Sequence, residues 1–246
     1  MLRESDYIFG FRAVIEAIKA GKQIDRLLIR QGLKGALYHE LMIEVKKNSI
    51  PWQIVPVERI ELVTRKNHQG ILAWLSLIEY QSVTNLLPSV FEKGEEPLIV
   101  VLDGVSDVRN FGAIVRSADC LGAHAIVIPE KGSARITADA VKTSAGALHT
   151  FPVCREKSLQ RSVQFLRDSG LKIIAATEKS GDDIHHADLK GPAALVLGSE
   201  DKGISSELLA VADAKVKIPM TGKIVSLNVS VAAGILLYEI TRQRRG

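Results

Sequence analysis

Two cysteines in 246 residues, Cys120 and Cys154, are too few for a disulfide framework and lack metal-ligand spacing. A reducing cytoplasm is therefore the expected compartment, with no metal. No apolar run approaches the roughly 20 residues that span a bilayer. The N-terminus, MLRESDYIFGFR, lacks the apolar middle of a signal peptide, so neither membrane insertion nor export is expected. No internal repeat or low-complexity tract is visible. No GxGxxG follows a strand-like run, which disfavours a nicotinamide dehydrogenase, and no GxxxxGK[ST] phosphate loop occurs.

What is present is an ordinary globular composition, 46% hydrophobic and 24% charged, enough for a real core. The net charge of +4 and a sequence pI near 9.0 lean towards an anionic partner, nucleic acid first among them. Many basic proteins bind no nucleic acid, so charge alone decides little.

Residues 10–20, GFRAVIEAIKA, place Val14, Ala17 and Ile18 on one helical face and stop at Gly21. Strands are expected at 26–30, 52–55 and 71–78, with helices at 36–47 and 57–65. Between the last helix and strand lies a basic polar turn, Arg65-Lys66-Asn67-His68-Gln69-Gly70. A solvated loop is its plain reading; contact with phosphate or base edges is the functional one. Residues 1–79 thus form a compact α/β domain. Residues 80–96, with Pro88, Gly94, Glu95, Glu96 and Pro97 in or beside them, have linker chemistry.

From 97 to 246, apolar runs at 98–102, 125–128, 173–176, 194–197 and 216–218 alternate with helical stretches. Such alternation specifies a parallel sheet covered on both faces, by itself an open doubly wound one. Three loops could carry chemistry. The first opens the helix carrying Phe111, Ile114, Val115 and Ala118, with Asn110 as its expected cap. Its second face sets Ala113, Ser117 and Cys120 around Arg116. The second loop, Gly198-Ser199-Glu200-Asp201-Lys202-Gly203, follows a strand, and its glycines fit close backbone approach to a ligand. Glu200 could equally be a first-turn acid before a helix near 205–211. In the third, the strand 216–219 leads through a loop at 220–225 to Ser226-Leu227-Asn228, which opens the last helix.

Singly these loops are weak signals; in this order they are specific. Asn110-Phe-Gly112-Ala-Ile-Val-Arg116, Gly198-Ser-Glu200-Asp-Lys-Gly203, and Ile218-Pro-Met220 with Ser226-Leu227-Asn228-Val-Ser resemble the three motifs of the SpoU (TrmH) family. These are RNA 2′-O-ribose methyltransferases of the SPOUT class. Tyr7 to Ala13 and His68-Gln69-Gly70 resemble the family's N-terminal RNA-binding domain, so the resemblance covers nearly the whole chain. Within the family the arrangement is most similar to the bacterial enzymes that methylate a guanosine ribose of 23S rRNA. One departure is Asp107-Val108, where the family usually has Asp-Pro.

The resemblance implies an L30e-like RNA-binding domain followed by a SPOUT α/β domain whose C-terminal segment is threaded into a deep trefoil knot. It implies a homodimer and S-adenosylmethionine held by backbone at Gly198, Ile218 and Leu227, with Thr177 and Met220 in the same pocket. Asn110, Glu200, Ser226 and Asn228 would orient the ribose and hold Arg116. The family's proposal makes Arg116 the base for the 2′-hydroxyl. A guanidinium with a pKa above about 12 is a poor base, so an electrostatic role is preferred. Arg65, Lys66, His68 and Gln69 would meet RNA. The alternatives are a tRNA substrate or a non-catalytic RNA-binding assembly factor.

Overall fold

The structure is a computed structural model describing residues 7–178, 182–224 and 226–245. Residues 1–6 of the N-terminal stretch and Val225 of the 220–225 loop lie outside the described residues. The chain divides into two units, 1–79 and 80–246.

In the first unit the elements are β1 (Tyr7–Phe9), α1 (Phe11–Lys19), β2 (Ile24–Arg30), α2 (Ala36–Lys47), β3 (Trp52–Val55), α3 (Val57–Glu61) and β4 (Ile71–Leu75). The strands lie in the order β1-β4-β2-β3; β3 runs parallel to β2 and the other pairs are antiparallel. Successive side chains alternate between faces of a strand. Leu27 and Ile29 therefore join Val14, Ile15 and Ile18 of α1 and Leu41 and Val45 of α2 in one core. Leu28 packs on the other side with Val55, Ile60 and Leu72. The helix expected over 57–65 ends at Glu61 and the strand over 71–78 ends at Leu75.

The second unit begins with a correction. Residues 80–96 are not a linker: they contain β5 (Tyr80–Gln81) and α4 (Val83–Glu92). Val83, Leu86, Leu87 and Val90 recur at i, i+3, i+4 and i+7 and are buried, which is the stripe of a docked helix. What obscured it is Pro88 inside the helix and a start fixed from far along the chain. Glu156 Oε1 accepts from Val83 N (2.8 Å) and from Ser82 Oγ (3.1 Å).

The remaining elements are β6 (Leu98–Asp103), α5 (Val108–Cys120), β7 (Ala125–Pro129), α6 (Ala138–Thr143), β8 (Val153–Glu156), α7 (Leu159–Asp168), β9 (Lys172–Ala176), β10 (Asp182–Asp183), β11 (Ala193–Gly198), α8 (Ser206–Ala210), β12 (Ala214–Lys217) and α9 (Val229–Arg245). Eight strands form one sheet in the order β10-β12-β9-β11-β6-β7-β8-β5, parallel at every pairing. Its central strands are apolar throughout because both faces are covered. One face packs Ile99, Val101, Val127 and Val196 against Leu86 and Leu87 of α4, Val163 and Leu166 of α7 and Leu208 of α8. On α5, Phe111, Ile114, Val115 and Ala118 are buried, and α5 packs against α6 and α9. No helix among the described residues is long and apolar enough to cross a membrane.

Polar side chains near the end of α9, with Glu239 buried among them, tie the helix down. The Glu239 carboxylate takes bonds from Arg242 Nη2 (2.7 Å) and Gln243 Nε2 (2.9 Å), which hold its pKa down at about 2. Gln243 also reaches the Ala187 carbonyl and accepts from Leu189 N. Arg244 donates to the carbonyls of Glu96, Pro97 and Gly191, before the first residues of β6 and β11.

Candidate active site

The strand order reverses between β6 and β11, which are paired through Gly198 and Asp103 at their carboxyl ends. In open α/β sheets a ligand crevice forms outside the carboxyl ends at such a point. A cavity of about 460 Å³ opens next to that point, on the far side of β11 from β6, at the ends of β9, β11 and β12. Thr177, Gly198, Ile218, Met220 and Leu227 all line it, as do Glu200, Ser226 and Asn228. Thr177 donates its N–H to the Val216 carbonyl (2.9 Å), fixing the chain as it leaves β9. The last strand ends at Lys217, so Ile218 belongs to the loop.

The loop after β11 folds back on itself. Gly203 N donates to the Ser199 carbonyl (2.8 Å), Lys202 N to Ser199 Oγ (3.2 Å), and Ser205 N to Asp103 Oδ2 (2.7 Å). A Cβ on Gly198 would lie 2.1 Å from the Gly203 carbonyl carbon and 2.3 Å from Ile204 N. The close approach expected between Gly198 and a ligand is thus an approach to its own loop. Glycine is needed because the Gly203–Ile204 peptide occupies the side-chain position.

Three side chains from three distant segments meet beside this loop. Glu200 Oε1 accepts from Asn228 Nδ2 (2.8 Å), Asn110 Nδ2 (3.2 Å) and the backbone N–H of Val229 (3.2 Å). Asn228 Nδ2 also donates to Asn110 Oδ1 (2.9 Å). Glu200 therefore satisfies an orphan N–H at the start of α9, where a carboxylate also suits the helix dipole. It does not serve the helix at 206–210. Asn228 Oδ1 accepts from Ser230 N (2.9 Å), so Asn228 caps a helix starting at Val229; Ser226 and Leu227 precede it.

Asn110 is not the cap of α5. Asp107 is, its carboxylate accepting from Arg109 N (2.9 Å) and Asn110 N (2.8 Å). This leaves the Asn110 side chain, in the first turn, to reach Glu200 and Asn228. Asp107 directly before a helical stripe was the available signal; Asp103, which anchors Ser205, carried none. Arg116 lies six residues along α5 from Asn110, about 9 Å at 1.5 Å per residue. Its side chain is exposed, outside both the cavity lining and the hydrogen-bonded cluster. Small residues do let helices approach here: a Cβ on Gly112 would meet the Ala140 carbonyl at 2.7 Å, and one on Gly234 would lie 3.8 Å from Ser117 Oγ.

In the first unit, Gln69 Oε1 accepts from Phe11 N (3.2 Å) and His68 Nδ1 from Gly70 N (2.9 Å). The two stretches that resemble the family's RNA-binding domain are thereby joined by a direct bond. Gln69 and His68 are partly employed in holding the turn, in which Gln69 adopts φ +53°. Arg65 and Lys66 are exposed, and Arg65 and His68 line a shallow recess with Glu58, Glu61 and Leu62.

A model described as the SpoU rRNA Methylase family matches residues 97–238, and one described as RNA 2′-O ribose methyltransferase substrate binding matches residues 7–81. The chain belongs to the SpoU family. A relative from Bacillus subtilis, whose name assigns it to the TrmH family of tRNA/rRNA methyltransferases, is 34% identical over 244 residues, 99% of this chain and 98% of its own. The AdoMet-bound rRNA methyltransferase from Sinorhizobium meliloti is 25% identical with a TM-score of 0.62, covering 96% of this chain and 87% of its own. A TrmH/SpoU tRNA modifying enzyme from A. aeolicus is 34% identical with a TM-score of 0.56, but covers 61% of this chain and 77% of its own.

Proposed function

We propose that this protein transfers a methyl group from S-adenosylmethionine to the ribose 2′-hydroxyl of a guanosine in 23S rRNA. The observation that carries the reading is the Asn110–Glu200–Asn228 set, assembled from three motifs beside one cavity. The cavity's volume of about 460 Å³ suits a nucleoside-sized cofactor, small-ligand sites being about 300–1,000 Å³. Backbone at Gly198 and at the loop residues Ile218 and Leu227 offers N–H and C=O groups to a polar adenosine, while Met220 and Thr177 line the same space. The cofactor, when bound, supplies an activated methyl group.

The protein's part is to present a weak nucleophile in line with that methyl and to manage its proton. Asn110 and Asn228, held by Glu200, orient the ribose, with Ser226 on the same loop. Arg116 lies beyond the cluster and meets the RNA from the helix side, stabilising the developing alkoxide and the adjacent phosphate. A guanidinium is a poor proton acceptor near neutral pH, which argues against a role as base. The first unit supplies RNA affinity through Arg65, Lys66, His68 and Gln69.

Ribosomal RNA is preferred because the similarity to the S. meliloti rRNA methyltransferase extends over both units, whereas that to the A. aeolicus tRNA enzyme covers 61% of the chain. The same reading includes a C-terminal segment threaded as a trefoil knot and a homodimer formed through α9. Val231, Ile235 and Tyr238, at i, i+4 and i+7, are 50%, 39% and 61% exposed, an apolar stripe suited to a second copy. The test is transfer of labelled methyl groups from S-adenosylmethionine to purified 23S rRNA and, separately, to tRNA. Methylation should render one phosphodiester of 23S rRNA resistant to alkali, and a 2′-deoxy substitution at that nucleotide should abolish transfer. Labelling of tRNA alone would overturn the ribosomal assignment, and labelling of the deoxy substrate would overturn the ribose assignment.

A further inference from the structure

We infer that Trp52, on the edge strand of the first unit, is a stacking platform for an unpaired RNA base. This deepens the RNA-binding role proposed above and rests on it, but it names a surface that none of the motifs contains. Among the described residues β3 ends the sheet order of its unit, with β2 on one side only. Trp52 and Ile54 lie beside Leu27 and Ile29 in register and so share their face. Leu27 is fully buried and Ile29 nearly so, yet Trp52 is 39% and Ile54 51% exposed. The apolar face thus runs past its helical cover and ends in an open indole.

What surrounds the indole argues for nucleic acid over protein. Residues 1–79 carry 12 lysines and arginines against 9 acids, three of the chain's four net positive charges. Lys46 and Lys47, both exposed, close α2, and the chain then turns sharply, Ile50 N bonding to the Val45 carbonyl (3.0 Å). Trp52 lies five positions beyond Lys47, at most about 18 Å of chain. On the opposite face Arg26 donates to the side chain of Gln53, between Trp52 and Ile54. An exposed aromatic in a basic unit, with lysines in the preceding chain segment, is the chemistry that holds single-stranded nucleic acid, the ring taking a base and the cations its phosphates. A protein strand adding to the β3 edge would use the backbone and would gain nothing from the lysines.

The chain's two tryptophans make the test direct, since the other, Trp74, is 8% exposed. Full-length protein would be titrated with a single-stranded ten-nucleotide oligoadenylate while following indole emission and, separately, filter retention. In Trp74→Phe, where Trp52 is the sole indole, saturation should quench the tryptophan emission and protect it from acrylamide. Trp52→Ala should lose about 5- to 100-fold in affinity, and Trp52→Phe should keep most of it. Replacing Lys46 and Lys47 by alanine should lower the salt slope by about 1.4. Retention of the oligomer with Trp52 emission unchanged, or with Trp52→Ala binding as wild type, would overturn this proposal while leaving RNA recognition intact. Failure of the wild-type protein to retain this oligomer while methylating rRNA would also overturn it, and failure with every RNA would take the functional reading down too. Loss of self-association in Trp52→Ala with RNA affinity unchanged would mark β3 as a protein interface instead.

Discussion

Replacing Gly198 by alanine adds one carbon where the structure has no room. That carbon would lie 2.1 Å from the Gly203 carbonyl carbon, 2.3 Å from Ile204 N and 2.4 Å from the Gly203 oxygen. Ordinary contact begins near 3.4 Å, so the Gly203–Ile204 peptide must withdraw by more than 1 Å. A shift of that size breaks the 2.8 Å bond from Gly203 N to Ser199 and strains the 2.7 Å bond from Ser205 N to the Asp103 carboxylate. A neutral bond is worth about 0.5–1.5 kcal/mol and one to a charged group about 1.5–3, so the expected loss is about 2–4 kcal/mol. For a unit of this size that lowers the Tm by about 5–15 °C. Gly203→Ala is the control, because its Cβ meets nothing within 4 Å and only the φ of +68° is strained, costing about 1 kcal/mol. Thermal unfolding without ligand, followed by calorimetric titration with S-adenosylmethionine, separates the explanations. If Gly198→Ala keeps its ligand-free Tm and loses only cofactor affinity, the glycine serves the ligand, and the steric reasoning here is wrong.

Three further outcomes are expected. Glu200→Ala should lower methyl transfer by about 100-fold, since two asparagines lose their common acceptor and misplaced groups cost that much; single-turnover rates check this, and Glu200→Gln should retain more. Arg116→Ala should bind S-adenosylmethionine as wild type in calorimetry yet lose most turnover, and Arg116→Lys should recover part of it if charge alone is used. Glu239 has a folded pKa of about 2, below the usual 4.5 of a glutamate, because Arg242 and then Gln243 donate to its carboxylate. Its contribution to stability is therefore complete above about pH 4.5 and fades as pH falls towards 2. Glu239→Gln should flatten the Tm-against-pH curve in that window and leave its slope near neutrality unchanged.

The sequence by itself determined the elements whose apolar pattern matched their period. Leu98–Leu102 and Ala194–Leu197 are apolar because both sheet faces are covered, and Phe111, Ile114, Val115 and Ala118 mark α5 because a docked helix buries one stripe. Motif order was enough to name the family and to nominate Asn110, Glu200 and Asn228. Tertiary structure decided the rest. α4 was illegible because its proline looks like punctuation and its start is fixed by Glu156, 73 residues beyond Val83. By sequence Asn110 reads as a cap because a helix-opening Asn usually is one; only the partners at Glu200 and Asn228, 90 and 118 residues away, give its side chain a different use. Gly198 shows the same limit from the other side. A pattern can say that a side chain is forbidden there, but whether ligand or backbone forbids it depends on how the next six residues fold back.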